Sequence, residues 1–436
     1  MKLRFLRSMP VVVALVLSTL AATSARADEV TDWTQIMVNA VAIANPGPAE
    51  TRDEAMVEAA IFDAVNGVKG LYSPVHVAPA APKGTSERAA AVQAAYVILS
   101  KLFPAQQSTF DTARAASLAA ILNVNGGDNR QAKIQSSVDK GVAWGQQVAD
   151  AIWAWRSTDG FTPVPPPFLG GTAIGQWRPT PPAFAPGAGP QFATMTPWVI
   201  ASPSQFRAPG PPALDSPLYT QVYNETKTWG NSTGSPRTAD QTLLAQFWES
   251  RKANYFWNQI GLRLAANQDM TLLDHARLFG TLNVAIADSL IGCWDSKYHF
   301  VSWRPITAIR LGDSDPNLNT AGDPNWTPLI TTPPHPEYPS AHSCLSSAAA
   351  AVLAQFFGPN TPFIVTSDQM PGVTRSFTSF DNALDEIADA RVFGGIHFRT
   401  ACNDGRTLGT AVGNYVLQNA FLPGHGNGDL EGDDDE

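Results

Sequence analysis

The sequence predicts an all-α protein, and three observations carry that expectation. Apolar residues recur at spacings of three and four from Asp32 to about Trp155, as in DWTQIMVNAVAIA and RDEAMVEAAIFDAVNGV, which places them on one face of a helix. The same periodicity returns from about Asp240 through DQTLLAQFWESRKANYFWNQIGLRLAA. Alternating apolar and polar residues, the mark of half-buried strands, are missing from the first of these regions.

Taken in order, residues 1–27 begin with Lys2, Arg4 and Arg7, continue in an apolar run and end in Ala25-Arg26-Ala27. A basic start, a short apolar segment and a small-x-small end mark a secretory signal peptide, so an exported protein, periplasmic or secreted, is expected. No later stretch reaches the roughly 20 apolar residues that a membrane span needs. Residues 28–158 read as an N-terminal helical scaffold, with Glu54, Glu58 and Asp63 on its solvated face. Residues 159–217 are a Pro/Gly-rich connecting loop, as in FTPVPPPFLGG and RPTPPAFAPGAGPQF. Proline removes a donor and fixes φ, which excludes regular structure, while the aromatic residues argue against disorder. An ordered loop forming one wall of a site entrance is expected. Residues 218–423 carry the chemistry, and residues 424–436, GHGNGDLEGDDDE, read as a solvated, disordered acidic tail.

The charged fraction of 15% lies below the roughly 25% of ordinary soluble domains and suits a large interior. The formal net charge of −9, with no basic run, excludes a nucleic-acid surface. An anion site in this chain must be a local gathering of cations. The three cysteines, Cys293, Cys344 and Cys402, each lie close to a candidate site residue. Either two of them form a disulfide bracing the site, or all three are small buried apolar residues.

Three segments carry the candidate chemistry. In PPHPEYPSAHSC, Ser340 is a favoured N-cap and the run to Phe357 has no internal Pro or Gly, so a helix is expected to start there. Its free N–H groups and the Ser340 hydroxyl suit an oxyanion, and His342 stands in the first turn as an acid–base group. In KYHFVSWRP, six residues separate Lys297 from Arg304, and Pro305 turns the chain out of helix at the arginine. In ARVFGGIHFR, Arg391 precedes His397, and Gly394-Gly395 implies close approach of another backbone element. Two arginines, a lysine, two histidines and a helix start match a tetrahedral or trigonal-bipyramidal oxyanion.

Together these segments resemble the three-part signature of the vanadium-dependent haloperoxidases and type-2 phosphatidic acid phosphatases. That signature reads Lys, six residues, Arg-Pro; Pro-Ser-Gly-His; and Ser-Arg, five residues, His, three residues, Asp. The surrounding text, from FAPGAGPQF to GGIHFRT, resembles the bacterial haloperoxidase-like branch. The resemblance implies a helical bundle of the haloperoxidase/acid phosphatase type and a vanadate cofactor. It implies that Lys297, Arg304 and Arg391 neutralise the oxyanion while Ser340 and the Ala341 N–H donate to it. His342 would be the acid–base group. His397 would be the axial vanadate ligand, or the nucleophile of a phosphatase that needs no vanadate.

Three positions depart from the signature: Ala341 for glycine, Ala390 for serine, and Ala401 for the aspartate that would orient His397. Asp404 is the expected substitute for that aspartate. His299 and His335 are candidate pocket-lining residues, and Asp295 and Glu337 are nearby carboxylates able to hold Lys297 or a histidine. The implied substrates are small molecules: hydrogen peroxide and halide for a haloperoxidase, or a phosphate ester for a soluble acid phosphatase. A third reading is a degenerate, non-catalytic anion-binding member.

Overall fold

The 29-residue helix α9 (Leu272–Phe300) organises the molecule, and every residue from Leu278 to Lys297 is buried. Thr271 caps its start by accepting from Asp274 N while the Asp274 carboxylate accepts from Thr271 N, a reciprocal pair that satisfies two orphan donors. The computed structural model describes residues 28–123 and 128–424. The expected signal peptide (1–27) and the tail beyond Gly424 lie outside the described residues.

Around α9 pack α2 (Ala49–Lys69), α11 (Ala341–Phe357) and α13 (Arg399–Asn419). Outside α2 lie α1 (Glu29–Ala44), α3 (Glu87–Leu102), α4 (Gln107–Leu122) and α5 (Asp128–Arg156). The remaining helices are α6 (Pro217–Trp229), α7 (Ala239–Phe247), α8 (Ala253–Ala265), α10 (Pro305–Arg310) and α12 (Phe380–Phe393). One apolar core runs without interruption from Val30 to Phe421, so the segments before and after the Pro-rich loop share a single interior. The helical expectation holds, with one addition. A two-stranded antiparallel hairpin, β1 (Phe363–Thr366) and β2 (Thr374–Phe377), is paired in the register Phe363 to Phe377. Among the described residues no helix is long and apolar enough to cross a membrane.

Helix α2 corrects the reading of Glu54, Glu58 and Asp63 as a solvated face, because it is buried on all sides from Ala49 to Gly67. Its carboxylates accept hydrogen bonds in the interior. Asp63 takes the backbone N–H groups of Val75, His76 and Val77 at 2.8, 2.9 and 2.8 Å, and Glu58 takes the Thr34 hydroxyl at 2.8 Å. Glu54 takes the Asn254 amide at 2.9 Å. Burial pushes Glu58 up to about 8 and Asp63 up to about 6, since a low-dielectric interior disfavours the charged form.

The Pro-rich loop is pinned in the same way. The buried carboxylate of Asp288, on α9, accepts from the N–H groups of Trp198, Val199 and Ile200 at 2.7, 2.8 and 2.9 Å. Arg156 donates to the carbonyls of Thr196 and Pro197. Main-chain groups that proline leaves without helix or sheet partners thus find them in buried side chains.

Two local features set the site elements. Gly405, Gly409 and Gly413 face α11, and a Cβ on Gly409 would overlap the Cys344 carbonyl oxygen. The glycine stripe therefore lets α13 lie directly on α11. At the end of α12, Gly395 takes φ +74 beside the Gly230 carbonyl, a conformation that glycine adopts without strain. This turn sends His397 back toward α11.

Candidate active site

A cavity of about 310 Å³ opens at the start of α11. Its polar end is formed by His335, Ala341, His342, Arg391 and His397, and its walls by Glu249, Lys252, Leu290, Pro333, Pro334 and Leu345. Ala188, from the Pro-rich loop, lines one side.

Ser340 is the N-cap of α11, in extended conformation at φ −70, ψ 120. Its hydroxyl oxygen accepts a long 3.5 Å bond from Ser343 N, and its hydrogen has no acceptor among the described residues. Ala341 and His342 supply the first free N–H groups of the helix.

Arg391, in the last turn of α12, is 1% exposed. Its Nη2 donates to Glu249 Oε2 at 2.7 Å. Its Nε and Nη1 are buried and have no partner among the described residues. Two unmatched buried donors on a guanidinium are costly unless an anion completes them.

Lys297 and Arg304 are oriented differently. Lys297 Nζ donates to the carbonyls of Pro336 (2.9 Å), Glu337 (3.0 Å) and Pro339. An ammonium has three N–H donors, so the loop before Ser340 uses all of them. Burial pushes Lys297 down to about 8. Arg304, turned out of helix by Pro305 (φ −81, ψ 155), donates through Nε to the His335 carbonyl at 2.8 Å and through Nη1 to the Ile396 carbonyl at 2.8 Å. The same Nη1 lies 3.1 Å from His397 Nε2, and Nη2 lies 2.9 Å from His335 Nδ1.

His397 is held from both sides. A guanidinium can only donate, so its contact makes Nε2 the unprotonated nitrogen, and Nδ1 carries the hydrogen toward Glu337 Oε1 at 2.9 Å. Burial, then Arg304 and Lys297, hold His397 well below the usual imidazole range, and burial raises Glu337 to about 7. Both directions favour a neutral imidazole on Glu337 over an imidazolium–carboxylate pair. His342 is likewise held low by burial and by Arg391 and Lys252. Its Nε2 sits 3.1 Å from the Trp248 carbonyl, so Nε2 donates and Nδ1 is the free base.

The structure thus gathers His335, Arg304, Ser340, Ala341, His342, Arg391 and His397, with Lys297 behind them. Two expected residues lie elsewhere. His299 is exposed and packs on Phe300 at 4.8 Å between ring centroids; two residues along a helix is roughly 200° of rotation, which turns it away from the Lys297 side. Asp404 accepts from the Tyr338 hydroxyl at 2.6 Å and does not line the cavity, so it is not the acceptor for His397. Asp295 pairs with Arg207 at 2.6 and 2.7 Å and leaves Lys297 to the carbonyls. Cys293, Cys344 and Cys402 are all buried and free, and no disulfide braces the site.

Sequence reasoning gave no role to Glu249 and Lys252. The helical periodicity runs through residues 240–266, but the chain breaks between Phe247 and Ala253, and this break presents both residues to the cavity. The charged cluster Glu249-Ser250-Arg251-Lys252 inside an apolar-periodic stretch was the available signal.

A family model described as the VCPO second helical-bundle domain matches residues 277–422, the span that holds the three signature segments. Vanadium chloroperoxidase of Curvularia inaequalis is 26% identical over 275 residues, 48% of this chain and 44% of that protein.

Residues 277–422 are a vanadium-haloperoxidase-type helical bundle.

The matched stretch thus spans less than half of that chloroperoxidase. Solved haloperoxidases extend the likeness over most of this chain. The first bacterial vanadium-dependent iodoperoxidase to be solved superposes with TM-score 0.76 at 27% identity, covering 91% of this chain and 97% of that one. A holo-type bacterial vanadium-dependent chloroperoxidase superposes with TM-score 0.65 at 18% identity, covering 91% and 93%, a likeness of fold.

Proposed function

We propose that this protein is an exported, vanadate-dependent haloperoxidase that oxidises halide with hydrogen peroxide. The observation that carries the reading is the pair of buried, unpartnered donors on Arg391, in the cavity that His397 also lines. The residues present fit an oxyanion cofactor. Arg391, the Ser340 hydroxyl and the Ala341 N–H have unspent donors, and His397 has an unprotonated nitrogen.

Arg391 would neutralise the anion through a free donor, Nε or Nη1, while Glu249 holds Nη2 in place. Ser340 and Ala341 would donate to it at the positive end of α11. Bound vanadate supplies a Lewis-acidic centre that polarises peroxide for attack by halide. His342, with Nδ1 free and Nε2 fixed on Trp248, takes a proton from peroxide and returns it to the departing oxygen. Arg304 and Lys297 hold the loop that carries His335 and Glu337, and contribute positive charge from behind.

The test is to incubate the purified protein with orthovanadate, hydrogen peroxide and, separately, iodide, bromide and chloride, using a halogenation indicator dye. Halogenation that requires vanadate is expected. Hydrolysis of a chromogenic phosphate ester that vanadate inhibits, without halogenation, would instead make the protein a phosphatase working through His397.

A further inference from the structure

His397 faces a difficulty that the signature alone does not resolve. A ligating or attacking imidazole needs an acceptor on its far nitrogen, because that acceptor fixes the tautomer and the ring plane and raises basicity. Position 401 is alanine, fully buried, and its carbonyl oxygen is taken by Ser340 N at 2.9 Å. Asp404 is committed to Tyr338 at 2.6 Å.

We propose that Glu337, in the loop before α11, is the positioning carboxylate of His397. Its Oε1 lies 2.9 Å from Nδ1 and is itself fixed by the Phe398 N–H at 3.0 Å. Its backbone is fixed as well. The Glu337 N–H donates to the Ser302 carbonyl at 2.9 Å, and its own carbonyl accepts from Lys297 Nζ at 3.0 Å. The residue is 1% exposed, so water does not compete for the carboxylate. With the hydrogen held on Nδ1, Nε2 is the acceptor nitrogen, 3.1 Å from Arg304 Nη1. The orienting group thus comes from the second signature segment, four residues before the helix start, instead of from α13.

The inference rests on the oxyanion reading of the site, and two measurements separate its failure from the failure of that reading. The first is the tautomer of His397 by nitrogen-15 NMR on the full protein without vanadate. The expected state is neutral with the hydrogen on Nδ1; a hydrogen on Nε2 overturns the proposal whatever the protein catalyses. The second is orthovanadate affinity of Glu337→Gln. Glutamine still accepts from the Phe398 N–H, so a purely structural role predicts unchanged affinity, whereas a positioning carboxylate predicts a loss of about 10- to 100-fold. Wild-type affinity in a folded Glu337→Gln variant overturns the proposal. Should that variant fail to fold, or the wild type bind no vanadate, the tautomer decides.

Discussion

Arg391 Nη2 donates to Glu249 Oε2 at 2.7 Å while Nε and Nη1, on either side of it, are buried and have no partner among the described residues. One carboxylate at the cavity wall therefore sets the direction in which the arginine can meet an anion. Replacing Arg391 with Lys keeps the charge but not the fixed directions of the free Nε and Nη1 donors, since an ammonium does not hold separate partners through a rigid planar group. Arg391→Lys is expected to bind orthovanadate at least about 10-fold more weakly, read by calorimetry. Equal affinity would show that the free guanidinium donors do not meet the anion.

His342→Ala should separate turnover from cofactor binding. The imidazole is assigned to proton transfer, so kcat is expected to fall by about 10² to 10⁴ while orthovanadate affinity changes far less. His397→Ala, by contrast, should abolish vanadate binding and activity together.

Stability should fall as pH rises from 6.5 to 8. Burial raises Asp53 and Glu337 to about 7 and Glu58 to about 8, so in this window the folded protein binds more protons than the unfolded chain, and ΔG of unfolding has a negative slope. The histidines held low in the fold, His335, His342 and His397, act in the opposite sense, but only below their unfolded value near 6.5. Lys297, pushed down to about 8, adds stability only as pH rises further. Urea midpoints at pH 6.5 and pH 8 should differ by about 1–3 kcal/mol in extrapolated stability, with the lower value at pH 8.

Asp288→Ala should loosen the Pro-rich loop. Three backbone N–H groups at Trp198, Val199 and Ile200 lose their shared acceptor, and each unmatched buried donor costs about 1–3 kcal/mol. A loss of at least about 2 kcal/mol in urea unfolding is expected, together with faster proteolysis between residues 190 and 205. Asp288→Asn, which keeps one acceptor oxygen, should lose less.

Local chemistry was legible in the sequence where a single residue dictates backbone geometry. Ser340 marked the start of α11, Pro305 turned Arg304 out of helix, and Gly394-Gly395 announced the contact with Gly230. Apolar spacing gave the helices but not their depth. A period of 3.6 residues shows which face is most apolar, and α2 is enclosed on every face, so Glu54, Glu58 and Asp63 looked solvated when they are buried acceptors. Proximity in sequence misled at His299 and Asp404, because direction around a helix decides what a side chain meets. The partnership of Glu249 with Arg391 spans 142 residues, and no local pattern reports such a pairing.

The anchorage of Lys297 has a consequence for how this chain tolerates change. All three of its hydrogens end on main-chain oxygens, at positions 336, 337 and 339, and every amino acid carries the same oxygen. Substitution at position 337 would therefore remove the carboxylate that holds His397 and leave the oxygen that the lysine holds. The path of this loop and the chemistry it carries at position 337 thus rest on separate atoms of the same residue.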